Sequence, residues 1–124
     1  MRKIEHNMIQ AIRDGKVWSN GNTVVDIVPV MGSLGNDPDK YCAEVYLHGS
    51  NIACLIINRL DSCVEFCNIT STGYRTNVTK SRINALIQAF STRYIGVVQK
   101  KGALYMVANV GNLEPITTDG WYCC

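Results

Sequence analysis

With 124 residues, 47% of them hydrophobic, the chain can bury one core and is read as a single compact domain. A net charge of +2 is too small for the basic footprint usual in duplex-binding proteins, so a small anionic ligand is the better expectation. The longest uncharged apolar run, 52–57, is far too short to span a bilayer, and MRKIEHNMIQ lacks the apolar stretch of an export signal, which predicts a cytosolic protein.

Ile4, Met8, Ala11 and Ile12 fall on one face of a predicted helix over residues 2–14, with Gly15 placed to end it. SNGNT after Trp18 is a turn cluster, and Asn22 and Thr23 suit an Asx-type turn better than a ligand contact. Residues 23–30 are rich in β-branched side chains and read as a strand, followed by a polar loop over 32–40. Strands at 41–47 and 52–57 form a predicted hairpin turning at Gly49-Ser50, and 63–69 adds a third neighbouring strand. A helix is expected from about Lys80 to Ser91, with Asn77 or Thr79 as its cap. A second hairpin joins 94–99 to 103–108 around KKG, and a short strand is expected near Ile116. Turns this short exclude the crossovers a parallel sheet needs. The expected fold class is therefore α+β, an antiparallel β-meander and hairpin packed with two helices.

The six cysteines are Cys42, Cys54, Cys63, Cys67, Cys123 and Cys124. Cys63 and Cys67 lie four apart in one predicted strand and so share a face, but neither CxxC pairs nor a nearby histidine complete a zinc pattern. Buried free thiols acting as small apolar residues are the expectation for them, with Cys123 and Cys124 exposed at the chain end. No metal and no cofactor is expected. His48, beside a turn glycine, has no nucleophile or carboxylate at a recognisable spacing and reads as a turn histidine rather than a general base. Asn68-Ile69-Thr70 and Asn77-Val78-Thr79 match glycosylation acceptors, but without export they are chance matches.

The most informative segment is residues 70–91, TSTGYRTNVTKSRINALIQAFS. Ile83, Leu86, Ile87 and Phe90 make a buried helical face, flanked by a polar stripe of Lys80, Asn84 and Gln88. Tyr74 is placed to stack on a base, and Arg75, Lys80 and Arg82 to meet phosphate near a helix N-terminus. Asn84 offers a donor and an acceptor for a ribose or base edge, and Lys100 and Lys101 in the hairpin turn add charge if that turn reaches the same cleft. The plain alternative is a loop tyrosine, a solvated cationic helix face and a surface amide.

The blocks GNTVV, VYLHGSNIA and TGYRTNVTKSRINALI together resemble the first type of Thoeris anti-defence protein, a phage-encoded family. The resemblance implies a non-enzymatic sponge that sequesters glycocyclic ADP-ribose signals in the host bacterial cytoplasm, some members also holding cyclic trinucleotides of the CBASS system at a second site. It further implies a homo-hexamer, a trimer of dimers, with pockets at subunit boundaries. Tyr74 resembles the family's stacking ring and Asn84 its helix amide, whereas Lys100 or Lys101 stands near a position where the family uses arginine, losing the bidentate fork. For the second site only Arg59 and Arg75 are candidates. Two other readings remain at this point. One is an enzyme that degrades a nucleotide, using His48. The other is a phage protein that inhibits a host protein or binds single-stranded nucleic acid through its cations.

Overall fold

The computed structural model describes residues 1–70 and 77–116 and the backbone of 122–123. In chain order the elements are α1 (Lys3–Asp14), β1 (Trp18–Asn20), β2 (Thr23–Gly32), β3 (Gly35–Leu47), β4 (Ser50–Asn58), β5 (Val64–Ile69), α2 (Asn77–Phe90), β6 (Tyr94–Lys100), β7 (Ala103–Ala108), β8 (Leu113–Pro115) and β9 (Tyr122–Cys123). They form an α+β fold with two antiparallel sheets, one ordered β1-β2-β3-β4-β5-β9 and a smaller one ordered β6-β7-β8.

Alternation along the central strands decides which face of the large sheet is inside. Tyr41, Ala43, Val45 and Leu47 of β3, with Ala53, Leu55 and Ile57 of β4, join the core, while the intervening Cys42, Glu44 and Cys54 lie outside that cluster. Met8, Ile9 and Ile12 of α1 cover the inner face, and Ile83, Ala85, Leu86, Ile87 and Phe90 of α2 continue the core towards Val97, Leu104 and Met106 of the small sheet. Helix α2 thus has neighbours on several sides, touching α1, β5 and β6. The Tyr41 hydroxyl donates to the Ile12 carbonyl at 2.6 Å and fastens the last turn of α1 to the sheet.

Several boundaries differ from those expected. The stretch 32–40 is not a loop: β2 and β3 stay paired out to Gly32 and Gly35, and residues 38–40 are absorbed as an irregularity between Pro29↔Tyr41 and Val30↔Asp37. Pro38 has no N–H to give a ladder, so an unpaired position suits it. The β3–β4 turn is His48-Gly49 rather than Gly49-Ser50, because Leu47 pairs with Ser50 and both turn residues have positive φ, 53° and 80°. A two-residue hairpin turn of this twist needs φ above zero at both centres, which glycine meets without strain. Helix α2 begins at Asn77, so Asn77 and Thr79 are in its first turn and Thr79 is fully buried. The expected strand near Ile116 is β8, which ends just before it.

The thiols also depart from expectation. Cys63 precedes β5 and is exposed, whereas Cys67 is buried and disulfide-bonded, not free. They do not share a strand face because Cys63 lies just outside β5 and the β4–β5 register slips at Glu65, between Ile56↔Phe66 and Ile57↔Val64. The side chains of Cys123 and Cys124 lie outside the described residues.

Candidate functional site

The first turn of α1 and the polar stripe of α2 face each other across an open cleft. One lobe of about 420 Å³ is lined by Arg2, Glu5, Ser81, Asn84 and Gln88 among others. A second lobe of about 360 Å³ shares Arg2, Ser81 and Asn84 and adds Asn77, Lys80 and Val97. The stripe forms because Lys80, Asn84 and Gln88 recur every four residues, beside a face whose Ile83, Leu86 and Ile87 are fully buried.

A buried polar network makes the cleft's floor. Arg82 Nη1 donates to Glu5 Oε2 at 2.7 Å, Ser81 Oγ to the same oxygen at 2.5 Å, and the Arg2 N–H to Oε1 at 3.1 Å. The Arg82 Nε–H is received by Thr23 Oγ1 at 3.1 Å, and the Thr23 hydroxyl donates in turn to Asn22 Oδ1 at 3.0 Å. Burial pushes the Glu5 carboxyl up, but the Ser81, Arg2 and Arg82 hydrogen bonds, with the guanidinium charge, outweigh it and hold the carboxyl below its ordinary value. Glu5 is therefore a charged residue already matched by Arg82. Among the described residues that line the cleft, Arg2 and Lys80 carry the remaining positive side-chain charge, so the surplus there is positive.

This corrects the reading of Arg82 as a phosphate ligand. The side chain is only 5% exposed and is engaged at both Nε and Nη1, so it stitches α1, α2 and β2 together instead of facing a ligand. Asn84 is also partly committed: its Oδ1 accepts the Val97 N–H at 3.0 Å, leaving the amide N–H groups as its contribution to a ligand. Gly96 permits this approach, since an added Cβ there would stand 2.7 Å from Asn84 Oδ1. Gly96→Ala is expected to displace the carboxamide and cost about 1–2 kcal/mol, the penalty of one broken part-buried hydrogen bond. An unchanged urea midpoint would show that the contact does not hold β6 to α2.

Of the residues expected from sequence, the structure brings Lys80 and Asn84 together at this cleft. Lys100 and Lys101 are exposed at the β6–β7 turn and do not line it, because the hairpin carries its tip beyond Val97, the β6 residue that does. Tyr74 and Arg75 lie outside the described residues. His48 occupies the β3–β4 turn, its backbone N–H donating to the Asn22 carbonyl at 2.9 Å, and is not a cleft residue. Arg59 sits over the Tyr41 ring, 4.6 Å from its centroid, and lines a separate hollow with Lys40 and Asp37. Sequence reasoning misses Arg2, Glu5, Asn77 and Ser81 as site residues. Of these, Glu5 alone has a legible signal, a carboxylate beside Ile4 and one turn before Met8 and Ile9 on the apolar face of α1.

Among the described residues no group of three or more histidine, cysteine or acidic side chains is placed to hold a metal ion, and no helix is long and apolar enough to cross a membrane. The family model described as Kyanoviridae Gp96 protein matches residues 1–123. No curated protein and no solved structure matches the chain.

Proposed function

Because the chain belongs to the Kyanoviridae Gp96 protein family, a phage-associated family, we propose that it is a phage-encoded binder that holds a small phosphorylated nucleotide without cleaving it. The observation that carries this reading is the cleft in which Arg2 and Lys80 stand beside the amides of Asn77, Asn84 and Gln88, over a carboxylate already neutralised by Arg82. Two cations with several neutral donors suit an anion bearing hydroxyl and base edges. Each lobe is within the usual size range for a small-molecule site, about 300–1,000 Å³.

Glycocyclic ADP-ribose signals are the preferred ligand, in keeping with the resemblance carried by GNTVV, VYLHGSNIA and TGYRTNVTKSRINALI. Tight binding without turnover lowers the free signal in the host cytoplasm, so host effectors stay unoccupied. The cleft is open on one side, and affinity depends on walls that exclude water. A second subunit supplies such walls, which is the physical reason to propose a homo-oligomer, a hexamer in the resembling family.

Calorimetry of the full chain with glycocyclic ADP-ribose, followed by denaturation and recovery of the ligand, tests the reading. Binding with intact ligand is expected, and Lys80→Ala and Asn84→Ala should each weaken it about tenfold, roughly 1.4 kcal/mol. Unaltered affinity in both variants removes the cleft as the site. A chemically changed ligand replaces the sponge with an enzyme.

A further inference from the structure

Cys42 and Cys54 lie on the face of the large sheet that points away from the core cluster. Cys42 pairs with Ile56 and Cys54 with Glu44, so the two thiols occupy diagonal positions of adjacent strands on one face. Their sulfur atoms are 3.0 Å apart and both are free. Cys54 is half-buried, while Cys42 is 8% exposed. Beside them the Tyr46 hydroxyl donates to Glu44, which keeps that carboxylate occupied.

We propose that Cys42 and Cys54 form a two-thiol modification site, oxidised to a Cys42–Cys54 disulfide by exchange with a low-molecular-weight disulfide. Cys54, as thiolate, attacks one sulfur of the incoming disulfide RSSR. That S–S bond breaks, a Cys54–S–S–R bond forms, and RS⁻ departs. Cys42 then loses its proton and attacks the Cys54 sulfur, expelling the second RS⁻. Two protein thiols lose two electrons and two protons, and RSSR is reduced to two RSH.

The order of attack follows from the pair's geometry. With the Cys42 S–H as donor, the shared hydrogen bond favours the Cys54 thiolate and lowers its pKa, although burial and the Glu44 charge oppose this. The same hydrogen bond, with burial and the charges of Cys54 and Glu44, raises that of Cys42. The thiol of the more exposed residue is thus also the one more readily ionised. Cys63, exposed, is an internal control for simple thiol reactivity.

The full chain is incubated with oxidised glutathione, quenched in acid, alkylated, digested with trypsin and read by mass spectrometry. Cleavage after Lys40 and Arg59 places both thiols on one peptide, residues 41–59. In the native protein that peptide should lose two hydrogens and resist alkylation until reduced, while Cys63 keeps a glutathione adduct. Cys42→Ser should accumulate the adduct on Cys54, and Cys54→Ser should slow modification of Cys42 by about tenfold or more. Two alkylatable thiols on peptide 41–59 while Cys63 is glutathionylated would overturn the proposal. So would a stable adduct on Cys54 in the native chain. Both of these outcomes are read on the unmutated protein, so they hold even where a variant fails to fold.

Discussion

Arg82→Ala should cost about 3–5 kcal/mol of folding stability, because it removes the cation from a carboxylate with 2% exposure and leaves that charge buried without its partner. Against a total of about 5–15 kcal/mol for an ordinary domain this is a large fraction. The thermal midpoint, followed by far-ultraviolet circular dichroism, should fall by roughly 10–20 °C. The double variant Glu5→Ala/Arg82→Ala should lose clearly less than the sum of the two single losses, since each single variant alone strands a charge. Strict additivity across that cycle would show that the two residues do not act as a pair.

The same carboxylate predicts a pH dependence. Held below its ordinary 4.5 in the folded chain, Glu5 binds fewer protons there than in the unfolded chain. Its contribution is therefore complete above about pH 4.5 and is lost as pH falls through the folded value. Urea unfolding between neutral pH and pH 3 should show the native protein and Glu5→Gln converging in stability as the solution is acidified. A gap that stays constant over that range would mean the Glu5 carboxyl is not held in its charged form.

Leu86→Ala is expected to lose about 2–5 kcal/mol, the cost of a cavity where a fully buried leucine fills the core. Leu86 is on the buried face of α2, away from the polar stripe that lines the cleft. The variant should therefore unfold at a lower urea concentration while its folded fraction binds ligand with native affinity. A loss under about 0.5 kcal/mol, the range of ordinary surface changes, would contradict the packing described for α2.

Local pattern made much of this architecture legible. The 3.6-residue spacing of Ile4, Met8, Ala11 and Ile12, and of Ile83, Leu86, Ile87 and Phe90, marks both helices, and each has its apolar face buried except for the half-buried Ile4. Short turns between β-branched runs marked the antiparallel strands. The boundaries that shifted are those set by pairing partners: residues 32–40 become strand because β2 and β3 continue against each other, and the turn moves to His48-Gly49 because Leu47 meets Ser50. Cys63 and Cys67 part company for a similar reason, a register slip that spacing along one strand does not reveal.

The site was less readable than the fold. Lys80 and Asn84 are brought to one cleft as the helical stripe required. Arg82 carries the same charge as Lys80 in the sequence, yet it is the cation that is withdrawn from solvent. Two residues around a helix is a turn of about 200°, which carries it to the side facing α1 and β2.

Periodicity in the chain decided which stretches coil, which extend and which side of each is greasy, because those preferences depend on neighbours a few positions away. Which charge is committed to a buried partner, which thiols touch and which polar groups share a hollow was decided only when distant segments docked. Glu5 and Arg82 lie on opposite sides of most of the large sheet in the sequence, and their meeting is a property of how α1 and α2 pack, not of either segment alone.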